Sequence, residues 1–179
     1  MDQLVAHKRA QDAFAGVLAN VETKQLDAQT PCADWNVRDL IAHVIGGNHR
    51  VSGSSPPASS DLAGLVEAYG ASANAAEESF AAPDGLTRII EMPFGSVPGS
   101  VLIGMRTTDV ITHAWDLARA TEQSPDIDPE VAEAALEASK MRLSDDFRGP
   151  GKPFGLRQPC DDDRPAADRL AAYLGRSVD

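Results

Sequence analysis

The chain has 179 residues, of which 42% are hydrophobic and 24% are charged. Its 27 acidic and 16 basic side chains give a net charge of −11 at pH 7. That charge disfavours binding to nucleic acid or to an anionic membrane surface, because both are negatively charged. The apolar runs are far shorter than the roughly 20 residues of a membrane-spanning helix, and the first residues lack the apolar segment of a secretory signal. We therefore expect a cytoplasmic protein with one domain over residues 1–179.

The composition favours an all-α fold, because alanine is the commonest residue and runs of β-branched residues are rare. Periodicity and capping residues predict helices over 2–20, from Asn36 onward, and over 61–80, 100–121, 129–144 and 163–174. A Ser/Pro-rich loop is predicted at 52–60, and the prolines and glycines of 83–99 exclude a helix there. The expected architecture is a four-helix bundle with a short irregular or hairpin insertion before the fourth helix and extra C-terminal helices.

The second helix has the clearest apolar periodicity in the chain. Asn36 is its predicted N-cap, and Asp39 matches the acidic half of a capping box. One buried face is formed by Val37, Leu40, Ile41, Val44 and Ile45. His43 lies on the flank of that face, and Gly47 follows one turn later. Because glycine has no side chain, this spacing predicts free space for a ligand beside the imidazole.

The fourth helix carries Asp109 and His113, whose spacing of four residues places them one turn apart on one face. By itself the pair is equally compatible with a buried hydrogen bond that only stabilises the helix. With His43 it makes a set of three nitrogen and oxygen ligands, which leaves coordination positions open for water or substrate. Such ligands suit Zn²⁺, Ni²⁺ or Fe²⁺, and the ligand types alone do not choose among them. Zn²⁺ is taken as the first candidate. No cysteine is expected nearby, which argues against a closed structural zinc site.

Several polar residues near these ligands are assigned provisional roles. Asp116 or Asp39 could orient a ligand imidazole through its second nitrogen. Arg106 could neutralise the carboxylate one turn later or contact an anionic substrate, but a solvated surface position is the preferred interpretation. His7 and His49 have no partner pattern and are predicted to be exposed.

Two segments of the chain, Thr30–His43 and Asp109–Ala118, resemble the DinB-like superfamily. More narrowly they resemble its actinobacterial metal-binding branch, which is related to the N-terminal domain of mycothiol-dependent maleylpyruvate isomerase. The run Pro93–Gly99 and the closing segment Asp168–Arg176 match the same branch. The resemblance implies a DinB-like four-helix bundle that holds a divalent metal ion through His43, Asp109 and His113.

The resemblance also implies a function, namely a metal-dependent enzyme that uses a low-molecular-weight thiol of the mycothiol type as an S-transferase or isomerase. Its partners would be that small-molecule thiol and an electrophilic substrate, and a homodimer is left open. The alternatives are a non-catalytic metal-binding or ligand-sensing bundle and a purely structural bundle. The isomerase has glutamate where this chain has Asp109, and 179 residues leave no room for the additional C-terminal domain of the isomerase. Maleylpyruvate isomerisation itself is therefore not expected, no catalytic residue is assigned, and the position of residues 145–162 relative to a pocket is left open.

Overall fold

The structure is a computed structural model that describes residues 1–32, 34–55, 59, 61–92 and 95–179. Its helices and strands, in chain order, are α1 (Gln3–Leu18), α2 (Val37–Ser52), α3 (Leu62–Ala81), β1 (Ile89–Met92), β2 (Gly95–Pro98), α4 (Gly99–Ala120), α5 (Pro129–Arg142) and α6 (Ala166–Tyr173). Two short 3₁₀ turns, Thr23–Gln25 and Asp145–Phe147, lie in the connections. The predicted all-α fold is confirmed. Within the described ranges, no helix is both long enough and apolar enough to cross a bilayer.

Helices α1 to α4 form the bundle. Helix α1 packs along α4 and α2 packs along α3, while further contacts join α1 to α3 and α2 to α4. The insertion before α4 is a hairpin, in which β1 and β2 pair antiparallel from Ile89 opposite Pro98 to Met92 opposite Gly95. Positions 93 and 94 of the predicted insertion, positions 56–58 and 60 of the predicted loop and position 33 of the first motif lie outside the described residues.

Helix α4 is the centre of the molecule, because it contacts α1, α2, α5 and α6. The side chain of Trp115 is fully enclosed in the main core. Its indole Nε1 donates a hydrogen bond of 2.8 Å to Asp168 Oδ1 on α6. The C-terminal helices are thereby fixed against the helix that carries two of the three predicted ligands.

The predicted start of α2 is confirmed in detail. Asn36 Oδ1 accepts a hydrogen bond from the backbone N–H of Asp39, and Asp39 Oδ2 accepts one from the backbone N–H of Asn36. Asp39 is therefore occupied as a capping residue. The N-cap of the last helix was predicted at Asp163, two residues before the observed N-cap, Pro165. The helix begins at Ala166, directly after Pro165, because proline has no backbone N–H and fits best at or before the first helical turn.

A network of buried polar side chains joins α1, α2 and α3 beneath the predicted site. Gln11 Nε2 donates to Asn48 Oδ1 at 2.8 Å, and the Tyr69 hydroxyl lies 2.7 Å from Gln11 Oε1. Asn48 Nδ2 also reaches Ser72 Oγ at 3.3 Å. His7 lies beside this network with only 1% of its surface exposed. The prediction that His7 is exposed is therefore wrong.

Burial of His7 makes the stability of the fold depend on pH. Burial, and secondarily the charge of Arg106, lower the pKa of His7 from 6.5 to about 4. The unfolded chain takes up this proton more readily, so the stabilisation is complete above pH 6.5 and is lost between pH 6.5 and 4. We expect this loss to reach about 3 kcal/mol. Denaturant unfolding of the wild type and of His7→Leu across that range measures it. The wild type should lose unfolding free energy relative to His7→Leu as the pH falls, and a difference between the two proteins that does not change with pH would contradict the assignment.

Candidate metal centre

The structure brings the three predicted ligands together. Helix α2 presents His43 and α4 presents Asp109 and His113, and one ligand atom of each lies within 4.8 Å of the other two. The Nε2 atoms of His43 and His113 both lie near Asp109 Oδ1, at 3.4 and 3.5 Å. Two imidazole nitrogens therefore converge on a single carboxylate oxygen.

The ring of Trp35, which lies in the connection before α2, packs against His43 with 4.5 Å between the ring centroids. The His43 ring in turn lies edge-on to the ring of His113, at 4.9 Å between centroids. These contacts restrict the orientation of His43, which makes no hydrogen bond to the described residues except to Asp109.

Arg106 holds the second oxygen of Asp109. Its Nη1 donates to Asp109 Oδ2 at 2.6 Å, and its Nη2 donates to Val44 O at 3.2 Å and to Asn48 Oδ1 at 3.0 Å. Only 6% of Arg106 is exposed. The preferred interpretation of Arg106 as a solvated surface residue is therefore wrong. The structure instead shows the other predicted role, in which Arg106 neutralises the Asp109 carboxylate.

The space predicted beside Gly47 is filled by the guanidinium of Arg106. A Cβ atom at position 47 would collide with Nη1 and Cζ of that side chain. Gly47 thus admits the arginine rather than a ligand, and this prediction is also wrong. The absence of a side chain at position 47 is still necessary for the site, because it allows Arg106 to reach across α2 and bind Asp109.

A buried carboxylate orients His113 from the other side. Asp116, which has no exposed surface, accepts a hydrogen bond from His113 Nδ1 at 2.9 Å. The Nε and Nη2 atoms of Arg176 donate to its two oxygens at 3.2 and 3.0 Å. Of the two carboxylates predicted to orient an imidazole, Asp116 does so. His113 is left with Nε2 directed toward Asp109.

The charges of this cluster shift its pKa values strongly. Burial acts to raise the pKa of Asp109, but Arg106 and His113 outweigh it and hold the pKa well below its usual range. Burial acts to lower the pKa of His113, but Asp109 and Asp116 hold it well above its usual range. For Asp116, burial is likewise outweighed, by His113 and Arg176, and its pKa is lowered. The cluster is a set of mutually stabilised charges in a poorly hydrated setting.

The three predicted ligands line one wall of a cleft of about 470 Å³, a volume typical of small-molecule sites. Its other walls come from α4, α5, the hairpin and the C-terminal segment. The apolar lining consists mainly of Met92, Val101, Leu102, Met105, Leu143 and Phe154. Phe154 places part of the segment 145–162, which the sequence left unassigned, at the cleft.

The likeness to known proteins covers both the sequence and the fold. The family profile described as the mycothiol maleylpyruvate isomerase N-terminal domain matches residues 7–93. Two proteins of Mycobacterium tuberculosis, the uncharacterized proteins Rv0738 and MT0763, are each 55% identical to this chain over an alignment of 183 positions. The alignment covers 99% of this chain and all of either relative. The chain belongs to the same family as these two proteins, and its residues 7–93 match the isomerase-domain profile.

Solved structures confirm the fold of the family. Crystal structures of the mycothiol-dependent maleylpyruvate isomerase and of a histidine-to-alanine mutant of it superpose with TM-scores of 0.62 and 0.61. The match covers 76% of this chain and 67% of the isomerase chain at 20% identity. At that identity the likeness establishes the shared DinB-like architecture.

Cys32 lies closer to the centre than the sequence indicated. Its Sγ is 3.3 Å from Asp116 Oδ2 and 3.5 Å from Nη2 of Arg176, so the expectation that no cysteine lies nearby is wrong. Cys32, His113 and Asp116 form a second group whose ligand atoms lie within 4.8 Å of one another. Of that second group only His113 lines the cleft, whereas Cys32 and Asp116 do not. The first group therefore has the better access for an incoming ligand.

His49 was also predicted to be exposed, and this is wrong. It is 8% exposed, and its Nδ1 lies 2.6 Å from Ser54 Oγ beyond the end of α2. His49 takes no part in the candidate centre. Helical geometry explains the difference from His43, because residues six apart point to different sides of a helix.

Proposed function

We propose that this chain binds a divalent metal ion through His43, Asp109 and His113. The observation that carries the proposal is the convergence of two imidazole nitrogens on Asp109 Oδ1 at the wall of a cleft. The donor set fits a divalent ion, since two neutral imidazoles and one carboxylate are ordinary ligands of Zn²⁺, Ni²⁺ and Fe²⁺. Zn²⁺ is the first candidate, and three protein ligands leave positions open toward the cleft.

We further propose that the ion serves a reaction of a low-molecular-weight thiol of the mycothiol type with an electrophilic small molecule. The support is the match of residues 7–93 to the domain profile named for the mycothiol maleylpyruvate isomerase and the fold shared with that enzyme. A divalent ion at this position would lower the pKa of a bound thiol and so supply a thiolate near neutral pH. The reaction class is S-transfer or thiol-assisted isomerisation.

The residues of the chain have distinct tasks in this proposal. Arg106 occupies Asp109 Oδ2 and so leaves Oδ1 as the oxygen that faces the imidazoles. Asp116 accepts the hydrogen bond from His113 Nδ1, which leaves Nε2 as the ligand nitrogen. His113 must release its proton from Nε2 before that nitrogen can act as a ligand, so metal affinity falls as the pH is lowered. The apolar cleft wall excludes water from the reacting groups.

The test is a thiol-consumption assay on protein purified without a histidine tag and supplied with Zn²⁺ or Ni²⁺. Free mycothiol is followed in the presence of a panel of electrophiles. We expect metal-dependent loss of thiol with the wild type and with His49→Ala, and none with His43→Ala, although both variants remove a histidine from α2. Bound metal without thiol loss for any electrophile would contradict the enzymatic proposal and favour a non-catalytic metal-binding or ligand-sensing bundle.

A further inference from the structure

Two arginines in the described part of the chain, Arg50 and Arg142, have no hydrogen-bond or ion-pair partner. Each of the other described arginines donates to a carboxylate, a hydroxyl or a backbone carbonyl. This is unexpected in a chain with 27 acidic residues and a net charge of −11. Both unpaired arginines line the cleft that borders the candidate metal centre.

The two arginines come from different helices and lie on the same side of the centre. Arg50 follows His43 by seven residues on α2, roughly 10 Å along the helix. The Arg142 guanidinium of α5 lies against Gly104, where a Cβ would be 3.0 Å from its Nη1. Gly104 precedes Asp109 by five residues, roughly 7 Å along α4. His43 faces Asp109 and Asn48 faces Arg106, so α2 and α4 run antiparallel here. Both displacements therefore point to the hairpin end of the cleft.

Position in the helix does not explain this pairing. Both arginines lie in the last turn of their helices, where a cation interacts favourably with the helix dipole. That effect accounts for a basic residue at each position. It does not require that the two side chains, from separate helices, line one cleft while neither forms an ion pair with a described residue.

The remaining polar groups of the cleft are already engaged. The hydroxyls of Thr108, Thr112 and Ser139 donate to backbone carbonyls of their own helices, at 3.1, 2.7 and 2.7 Å. Arg106 and Arg176, which also line the cleft, are paired with Asp109 and Asp116. Among the described residues of the cleft, the guanidinium groups of Arg50 and Arg142 are therefore the unengaged arginine donors, and most of the other lining side chains on this part of α4, Val101, Leu102 and Met105, are apolar.

We propose that the cleft binds an amphipathic organic acid. Its carboxylate is held by Arg50 and Arg142 at the hairpin end, and its apolar body lies along Val101, Leu102 and Met105 toward the metal centre. Val101 and Met105 are 39% and 41% exposed, so apolar surface is available for such a body. This inference rests on the proposed function in one respect, namely that the acid represents the class of the electrophilic substrate. Binding of the acid itself requires the two arginines and does not require the metal.

The test is calorimetric titration of the full chain with decanoate, with the uncharged decanamide and with acetate. The double variant Arg50→Gln/Arg142→Gln is compared with Arg38→Gln/Arg119→Gln. The second variant also removes two positive charges, but from positions outside the cleft. We expect decanoate to bind the wild type and the control equally. The cleft variant should bind it roughly tenfold more weakly, and decanamide and acetate should bind the wild type much more weakly than decanoate does. Equal affinity of both double variants, or of decanoate and decanamide, would overturn the inference.

Repeating the titration with a chelator separates this inference from the proposed function. Persistent, arginine-dependent binding of decanoate after metal removal supports it, whether or not the chain consumes thiol. Loss of binding on chelation would instead mean that the metal holds the carboxylate, which overturns the role of the arginines and leaves the metal proposal intact. Binding of anionic vesicles with the same arginine dependence, and no binding of monomeric decanoate, would overturn the inference in favour of a membrane surface.

Discussion

Replacement of Arg106 by glutamine is expected to lower the unfolding free energy by about 3 kcal/mol at neutral pH. The substitution removes the cation that compensates the Asp109 carboxylate, together with the hydrogen bonds from Arg106 to Val44 O and Asn48 Oδ1. Asn48 Oδ1 keeps its hydrogen bond from Gln11 Nε2. Loss of one partner of a buried charge pair costs more than the pair itself contributes. The Asp109 side chain keeps 32% of its surface exposed and so recovers part of its hydration, which places the expected loss at the lower end for such pairs. Denaturant unfolding monitored by circular dichroism measures the change.

Arg119→Gln is the matched control for this substitution, since Arg119 lies on the same helix and is exposed. The effect of Arg106→Gln should also depend on pH. Because Arg106 holds the pKa of Asp109 below its usual range, the stability that the pair contributes is present at neutral pH and is lost as Asp109 becomes protonated. The difference between the wild type and Arg106→Gln should therefore narrow in acid. A loss no larger than that of Arg119→Gln would contradict the account.

Replacement of Asp116 by asparagine is expected to have two separate effects. It leaves the Arg176 guanidinium without a compensating charge, which should destabilise the fold by about 3 kcal/mol. It also replaces the carboxylate that orients His113, which should weaken metal binding by about 10- to 100-fold. Unfolding curves measure the first effect, and metal titration of the folded variant measures the second.

The double variant Asp116→Asn/Arg176→Gln distinguishes these effects. Removal of both charges should restore part of the lost stability, because no buried charge is then unpaired. It should not restore metal affinity, since His113 still lacks its carboxylate partner. Asp12→Asn, which removes an exposed carboxylate on α1, is the control for the change in net charge. If Asp116→Asn binds metal as the wild type does, Asp116 does not position His113.

The parts of the fold that were predictable from the sequence are those encoded by nearby residues. The apolar period of α2 and the pair Asn36 and Asp39 determine where that helix begins and which face it buries. Spacing of four residues is likewise local, so Asp109 and His113 could be placed on one face of α4. His43 was added to the group from its position on the flank of the buried face of α2, and the family resemblance implied the same three residues. The structure brings the three side chains together as that pattern predicts.

The parts that could not be predicted depend on contacts between residues far apart in the chain. Burial of Arg106 results from Gly47 and Asn48 on another helix, and nothing near position 106 indicates it. Cys32 and Arg176 reach Asp116 across sequence separations of 84 and 60 residues. His7 and His49 were assigned to the surface because no partner pattern was recognised for either, although Gln11 lies one turn after His7 and its Nε2 is 3.3 Å from His7 Nε2. Their burial follows from how whole helices pack.

The most direct test of the central claim is the metal content of the chain purified without a histidine tag. The four histidines divide evenly between the candidate centre and the rest of the fold, so His43→Ala/His113→Ala has a matched control in His7→Leu/His49→Leu. After exposure to Zn²⁺ and to Ni²⁺, elemental analysis should find about one ion per chain in the wild type and in the folded control, and almost none in the first double variant. Equal metal content in wild type and His43→Ala/His113→Ala, or only trace metal in both, would contradict a metal centre at this position.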